Sequence, residues 1–363
     1  MLSSIADGAP AGATSLACGF GERDGAQLLA RLLTAALFLS LAPAAAHADT
    51  LADIKGRGAV VCGTASAVPG FSAIRQGDAW TGIGADYCRG LAAVIFNDPD
   101  KVQYVSLQPA ERIAALTGGR VDVLADLMPW TLLGDTEQGV RFVATMFYDG
   151  QGFLAPKAAA LRTARDLTGK AVCVEASSEA ADNAAEYFDA NNIGARLAPQ
   201  PTPDEAIAAY AAGDCAAYAA DLSVLAGVRA KLPTPADHVL LPDLISKKPL
   251  GVVVKAGDDR WFDVARWTVY GLLDAEELSV TQSNVDEMLG SDNISVRRLL
   301  GVEGDFGVEI GLNKDWAYQL IKGVGNYADV YDRNVGDQSP LKLPRGLNAL
   351  WSRGGIQYSP PVR

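Results

Sequence analysis

The sequence predicts an α/β protein of two hinge-linked lobes with a C-terminal helical extension. Three observations carry that expectation. Short apolar strands alternate with segments of helical periodicity, a helix–glycine–strand unit occurs twice, and two short segments stand where a chain would cross between lobes and return. At 363 residues the chain is long enough for two lobes, each with its own core.

Taken in order, Ala59–Gly63 (AVVCG) reads as a strand, followed by a loop containing Val68-Pro69-Gly70-Phe71. Ala85–Phe96 places Leu91, Val94 and Ile95 on one helical face and stops at Asn97-Asp98-Pro99. Val102–Leu107 alternates as a strand does. Glu111–Leu124 (ERIAALTGGRVDVL) reads as a helix stopped by glycine and then a strand, and Glu205–Tyr218 (EAIAAYAAGDCAAY) reads the same way. Ile113, Leu116 and Gly119 of the first unit match Ile207, Tyr210 and Gly213 of the second. Glycine suits these positions because a helix that ends in the left-handed conformation favours a residue without Cβ.

Tyr148–Phe153 (YDGQGF) is the expected crossing into the second lobe, Ala171–Glu175 opens a second strand series, and Lys248–Gly251 (KPLG) is the expected return. The first lobe with its extension is assigned to residues 49–151 plus 251–363, and the second to 152–250. Helices are expected over Arg260–Leu278, Gln282–Met288, Val296–Leu300 and Lys314–Asn334. The last carries Trp316, Leu320, Ile321, Val324, Tyr327, Val330 and Tyr331 on one stripe, which reads as core packing rather than a binding face. The Pro- and Gly-rich tail from Gln338 to Arg363 still contains Leu341, Leu343, Leu347, Leu350 and Trp351, so it is expected to lie in order over the first lobe.

Composition removes several functions. Hydrophobic residues at 49% and charged residues at 20% describe a globular protein, not a fibre or a polytopic membrane protein. With 43 Asp+Glu against 31 Lys+Arg, the net charge of −12 argues against nucleic-acid binding, which needs clustered cations over phosphates. The two histidines, His47 and His238, leave no His-rich metal site and only one candidate base for a nucleophile. Gly323-x-Gly325 lies inside a helical stretch, and Gly82-x-Gly84 lacks a third glycine and the later acid, so neither reads as a nucleotide site. No cofactor, metal or catalytic residue is expected.

The N-terminal segment reads as an address. Arg31 is its last charge, Leu32–Pro43 is uncharged and mostly apolar, and Ala46-His47-Ala48 supplies small residues at a cleavage site. Residues 1–48 are therefore expected to be a secretory signal peptide, removed after Ala48. A membrane span is the competing reading, but crossing a bilayer takes about 20 apolar residues and this run is shorter and carries Pro43. The mature chain is expected to be periplasmic, not membrane-embedded, and monomeric. Four cysteines follow the cleavage site: Cys62, Cys88, Cys173 and Cys215. An even number in an exported chain reads as disulfides with three connectivities. Cys62–Cys88 and Cys173–Cys215 are favoured because each pair falls within one expected lobe, with free buried thiols as the alternative.

Several runs carry a resemblance: LADIKGRGAVVCG, VPGFSA at 68–73, WTGIGADYCRGLAAVIFNDPDKVQYV from Trp80, DDRWFDVARWTVY from Asp258, RRLLGVEGDFG from Arg297, DWAYQLIKGVGNY from Asp315 and RGLNALW from Arg345. Together with YDGQGF they are similar to the general L-amino-acid-binding proteins, periplasmic receptors of polar amino-acid ABC transporters. The resemblance spans the whole chain beyond the signal segment. It implies a type II periplasmic-binding-protein fold that closes on a small solute and docks on a membrane permease.

The expected pocket departs from that pattern. The family's Arg-Asn-Thr-Thr-Trp-Thr-x-x-Arg-Asp-Thr run falls on Asp126-Leu127-Met128-Pro129-Trp130-Thr131-Leu132-Leu133-Gly134-Asp135-Thr136. The arginine that grips the ligand α-carboxylate in the family thus falls on Gly134. The Gly-Thr-Thr loop falls on Ser177-Ser178-Glu179, and Gly-Phe-Asp-x-Asp becomes Gly82-Ile83-Gly84-Ala85-Asp86. Asp221, at the place of the carboxylate that meets the α-ammonium, is retained.

Closing a cleft on a carboxylate with no cationic partner costs roughly 3–5 kcal/mol, or about two to four decades of affinity. Arg141 is the nearest later arginine, and nothing local turns it inward. Asp126, Glu175, Glu179, Asp182 and Asp221 are instead expected near cleft-facing strand ends or loops, with Met128 and Trp130 beside them. That set favours a cationic, amine-like solute lacking a free carboxylate, with cation–π attraction from Trp130 of about 0.5–2 kcal/mol. Ligand contacts are therefore expected from Asp221, Asp126, Trp130, Thr131, Ser177, Ser178 and Glu179. The function this implies is capture of a small polar amino-acid-like or cationic amine ligand for an ABC importer, with standard α-carboxylate recognition lost; an exported enzyme resembling cyclohexadienyl dehydratase, or a ligand sensor, is the alternative.

Overall fold

The computed structural model describes residues 49–65, 67–74, 79–136 and 139–363. The expected signal peptide, residues 1–48, lies outside them. Helix α1 (Thr50–Arg57) starts from Asp49, whose side chain accepts from the Ala52 N–H at 3.0 Å, and is tied to the body where Thr50 N–H donates to Asp258 Oδ2 at 2.7 Å.

Strand β1 (Val60–Thr64) is followed by a small sheet of β2 (Ala67–Val68), β3 (Ser72–Ile74) and β4 (Trp80–Thr81). Helix α2 (Ile83–Phe96) then leads to β5 (Val102–Ser106), α3 (Arg112–Thr117), β6 (Val123–Pro129), α4 (Leu132–Thr136) and β7 (Val140–Asp149). The second series is β8 (Gln151–Pro156), β9 (Ala171–Glu175), α5 (Glu179–Ala190), β10 (Arg196–Gln200), α6 (Pro203–Ala212), β11 (Ala217–Asp221), α7 (Leu222–Lys231) and β12 (His238–Leu240). The chain returns through β13 (Lys248–Lys255).

The strands form two five-stranded sheets with one plan. The first has the order β5-β1-β6-β13-β7 and the second β10-β9-β11-β8-β12. In each, the first three strands are parallel and the last two run antiparallel to their neighbours. The recurring helix–glycine–strand unit fills the same place in both, as α3–β6 and α6–β11. Gly119 and Gly213 take the positive φ that the pattern asked for, +74° and +86°. Cys62 bonds Cys88 and Cys173 bonds Cys215, each tying a sheet strand to an element of its own lobe. Closing loops of 26 and 42 residues gives about 3–4 kcal/mol apiece in the chain-entropy account.

Two crossings join the sheets. At the first, β7 runs almost directly into β8 with only Gly150 between. At the second, β13 begins at Lys248, paired in register with Asp149. The crossings touch: a Cβ on Gly150 would stand 2.4 Å from the Ser246 carbonyl oxygen.

The C-terminal helices are α8 (Asp259–Glu277), α9 (Val285–Met288), α10 (Ile294–Leu299), α11 (Phe306–Glu309), α12 (Trp316–Val324) and α13 (Tyr327–Asn334). The single helix expected over Lys314–Asn334 is thus two. Asn326 opens the second with a capping box, its side chain accepting from the Asp329 N–H at 2.9 Å while Asp329 accepts from the Asn326 N–H at 3.1 Å. The apolar stripe is continuous across the break and wholly buried, from Trp316 to Tyr331, as core packing requires.

The tail does more than cover the first lobe. Leu341, Leu343 and Leu350 enter its core, and Asn348 brackets the first crossing, accepting from Tyr148 N–H at 2.7 Å and donating to the Tyr148 carbonyl at 3.0 Å. Arg229 of α7, on the second lobe, donates to the Leu341 carbonyl at 2.5 Å. The tail therefore ties both lobes from behind the hinge. Among the described residues, no helix is long and apolar enough to cross a membrane.

Gly150→Val tests the contact between crossings. Forcing a branched side chain against the Ser246 carbonyl should cost about 1–3 kcal/mol, read as a lowered urea midpoint. An unchanged midpoint would mean that the crossings separate at no cost.

Candidate functional site

The carboxyl end of β11 places Asp221 at the entry of α7, and the start of β13 places Lys248 opposite it. Lys248 Nζ stands 2.7 Å from Asp221 Oδ2 and 3.9 Å from Glu179 Oε2. Asp149, paired in register with Lys248, lies at the same junction with its carboxylate buried. It accepts from the Ser223 hydroxyl and from Gly150 N–H at 2.9 Å. Three carboxylates and one ammonium thus meet where both crossings pass between the lobes.

Lys248 was not among the residues expected from sequence. Its only signal there was a lysine next to a predicted crossing, which reads equally as a solvated loop charge. Burial by itself would lower its ammonium pKa, but the Asp221 hydrogen bond and the charges of Asp221, Glu179 and Asp149 outweigh burial and raise it.

The loop before α5 sits beside this cluster. Ser178 caps the helix, its Oγ accepting from Ala181 N–H at 3.2 Å while donating to the Glu175 carbonyl at 2.7 Å. Its hydroxyl is therefore committed to the loop. Ser177 is held at φ +54° and is exposed. Glu179, with a side chain 77% exposed, opens to solvent.

The lobe-1 side corrects the expected acid-rich wall. Asp126 does not face an open cleft: its carboxylate is buried, with Arg112 Nε 2.5 Å away. Burial raises its pKa and the Arg112 charge only partly opposes that. Asp221, the other principal acid, is already matched by Lys248. The cationic-solute expectation thus loses one free carboxylate to burial and another to an internal ammonium. The physical reason is common to both: a carboxylate removed from water recruits a cation from its own chain.

Trp130 is half-buried, its N–H backbone donating to the Pro249 carbonyl at 2.8 Å, which sets it next to the second crossing. One ring face stacks on Phe142 at 5.1 Å, and Nε1 donates to Asp135 at 3.0 Å. Thr131 Oγ1 accepts from Gly134 N–H at 3.1 Å, starting α4. Gly134 contributes no side chain there, and its neighbours Leu132 and Leu133 are about four-fifths exposed. Arg141 turns elsewhere, paired with Asp259 at 2.7 Å and lying over the Phe262 ring. It stands at the opposite end of β7 from Asp149, about 27 Å along the strand.

A cavity of about 430 Å³ opens between the Val68–Phe71 loop and helices α6 and α7, lined by Phe71, Ile207, Ser223, Val224 and Val228. Ser223 links it to Asp149. His238 Nδ1 is engaged with Tyr210 Oη at 2.6 Å. Among the described residues no cluster of His, Cys, Asp and Glu is arranged to hold a metal. The junction of Asp221, Glu179 and Lys248 offers both signs of charge to a small solute.

Residues 60–315 match the family model of bacterial extracellular solute-binding proteins, family 3. The chain is 44% identical over 338 residues to the general L-amino acid-binding periplasmic protein AapJ of Rhizobium johnstonii, covering 92% of this chain and 99% of that one. It is 42% identical over 327 residues to the glutamate/glutamine/aspartate/asparagine-binding protein BztA of Rhodobacter capsulatus, covering 89% and 96%. A solved structure of an ABC transporter/periplasmic binding protein from Brucella ovis with glutathione bound is similar with a TM-score of 0.75 and 46% identity, covering 87% of this chain and 100% of that one.

Asp149 makes the junction sensitive to pH. Burial lifts its pKa from 3.8 to about 6, against the opposing hydrogen bonds of Ser223 and Gly150. Between those values the native state keeps a proton that the unfolded chain releases, so this group's contribution falls as pH rises through the window. Asp149→Asn should remove a loss of about 2 kcal/mol between pH 4 and pH 7. Urea midpoints of both proteins at the two pH values check it; parallel profiles would refute it.

Proposed function

We infer function from a family premise: this chain belongs to the bacterial extracellular solute-binding proteins, family 3. It is a periplasmic solute-binding protein of the amino-acid type in an ABC import system. We propose that it takes a small polar solute bearing an amino group, held at the junction of Asp221, Glu179 and Lys248, and passes it to a permease as a monomer. The observation that carries this is the position of Asp221, a strand-end carboxylate beside both crossings, where closure of two lobes would enclose it.

We assign ligand contact to Asp221, Glu179, Trp130 and Thr131, with Ser177 and Ser178 shaping the loop rather than lending hydroxyls. Asp126 is left out of the contact set, and residues 49–151 plus 251–363 and 152–250 are taken as the two lobes. The relatives matched over nearly their whole length are named as binding proteins, which supports capture without turnover. Glu179, exposed and near an ammonium, also lacks the enclosure that acid–base work would use.

Two experiments test this reading. Titration calorimetry with the common L-amino acids and glutathione should find at least one solute that binds, and Asp221→Ala should weaken it by about 30-fold or more, the effect of removing a charged hydrogen bond. An unaltered affinity removes Asp221 from the site. Export should leave Asp49 as the first residue, since the capped helix α1 begins there; intact-mass measurement of the periplasmic protein would show a different cut if residues 1–48 are not the signal.

A further inference from the structure

The cleft has lost one cation and shows another. Gly134 presents no side chain, Arg112 is engaged with Asp126, and Arg141 pairs with Asp259 at the far end of its strand. Lys248 remains at the junction, in contact with Asp221 and 3.9 Å from Glu179.

An ammonium carries three N–H donors and no acceptor. The Asp221 bond at 2.7 Å uses one of them, and Glu179 at 3.9 Å lies beyond hydrogen-bond reach. Lys248 therefore still has donors to offer, and its side chain is about a quarter exposed, so a small solute can reach it. Asp221 serves as the counter-ion that holds it in place. Lys248 and the carboxylates of Asp221 and Glu179 give the junction separate positive and negative faces, with the buried Asp149 beside them.

We propose that Lys248 is the specificity-determining residue for a ligand α-carboxylate, and that the solute is a zwitterion: an L-amino acid, or a short peptide presenting one. Its ammonium meets Asp221 and Glu179 while its carboxylate takes the remaining Lys248 donors. An ammonium at the hinge thus replaces the guanidinium that the resembled family keeps on the first lobe. This deepens the function proposed above and rests on it. It also reverses the sequence-based expectation of a solute without a free carboxylate, because that expectation assumed no cation within reach.

A merely structural Lys248 would only pin the second crossing to the second lobe, and its loss would weaken all ligands alike. The test therefore reads discrimination, not affinity alone. Calorimetry is run on the full mature chain with L-glutamine against L-glutaminamide and L-glutamate against L-isoglutamine, and with any other binding amino acid against its α-carboxamide. Wild type should prefer the acid by about 30-fold. Lys248→Gln should reduce that preference to within about threefold, and Lys248→Arg, which keeps the charge, should restore most of it. Thermal unfolding confirms that both variants are folded. A preference that persists undiminished in Lys248→Gln overturns the assignment and leaves the solute-binding reading intact. Stronger binding of the amides to wild type also overturns it. Absence of binding by any acid or amide overturns both.

Discussion

A charge taken out of water must be matched inside the protein, and that requirement decides how the carboxylates of this region are partnered. Asp221 is matched by Lys248, Asp126 by Arg112, and Asp149 by the Ser223 hydroxyl and the Gly150 N–H. Asp149 is the one met by dipoles instead of a cation, and it is the one whose carboxyl is lifted to about 6. Burial raises the Asp126 carboxyl as well, and there the Arg112 charge opposes it only in part.

The topology explains why these groups meet. Both sheets have the same order, so the carboxyl ends of the central parallel strands β6 and β11 occupy corresponding places. The antiparallel strands β8 and β13 enter their sheets directly from the crossings. The end of β11, the end of β7 and the start of β13 must then lie together, which brings Asp221, Asp149 and Lys248 to one point. Gly150 allows the approach, since a side chain there would strike the neighbouring crossing. From behind, Asn348 uses both polar groups of its amide on Tyr148, and Arg229 anchors the same tail to the second lobe.

Much of this was legible in the sequence because it rests on local pattern. The duplicated helix–glycine–strand unit, the two crossings and the lobe-wise cysteine pairs all follow from spacing and from where glycine is required. What was not legible depends on contacts between residues far apart in the chain. Asp126 and Asp221 look alike as acids at strand ends, and only burial and their partners, Arg112 and Lys248, distinguish them. Lys248 was hidden for the same reason, since a lysine at a crossing carries no periodicity. The break between α12 and α13 could have been found, because Asn326 and Asp329 have capping-box spacing. An uninterrupted apolar stripe concealed it: the stripe reports which face is buried, not whether the backbone is continuous.

Moving the cation from a lobe wall to the hinge changes what each part of the site contributes. A guanidinium on the first lobe would be brought to a ligand held by the second only as the lobes approach. An ammonium on β13, bonded to Asp221, is tied directly to the second lobe. A zwitterion can then have both charged ends satisfied at one junction, and the first lobe is left to supply shape. Its residues fit that division: Trp130 stacked on Phe142, the exposed Leu132 and Leu133, and Gly134 with no side chain to desolvate. Closing such a wall over a paired solute buries the apolar surface of Trp130, Leu132 and Leu133, while the Asp135 carboxylate beside Trp130 keeps its indole N–H as partner.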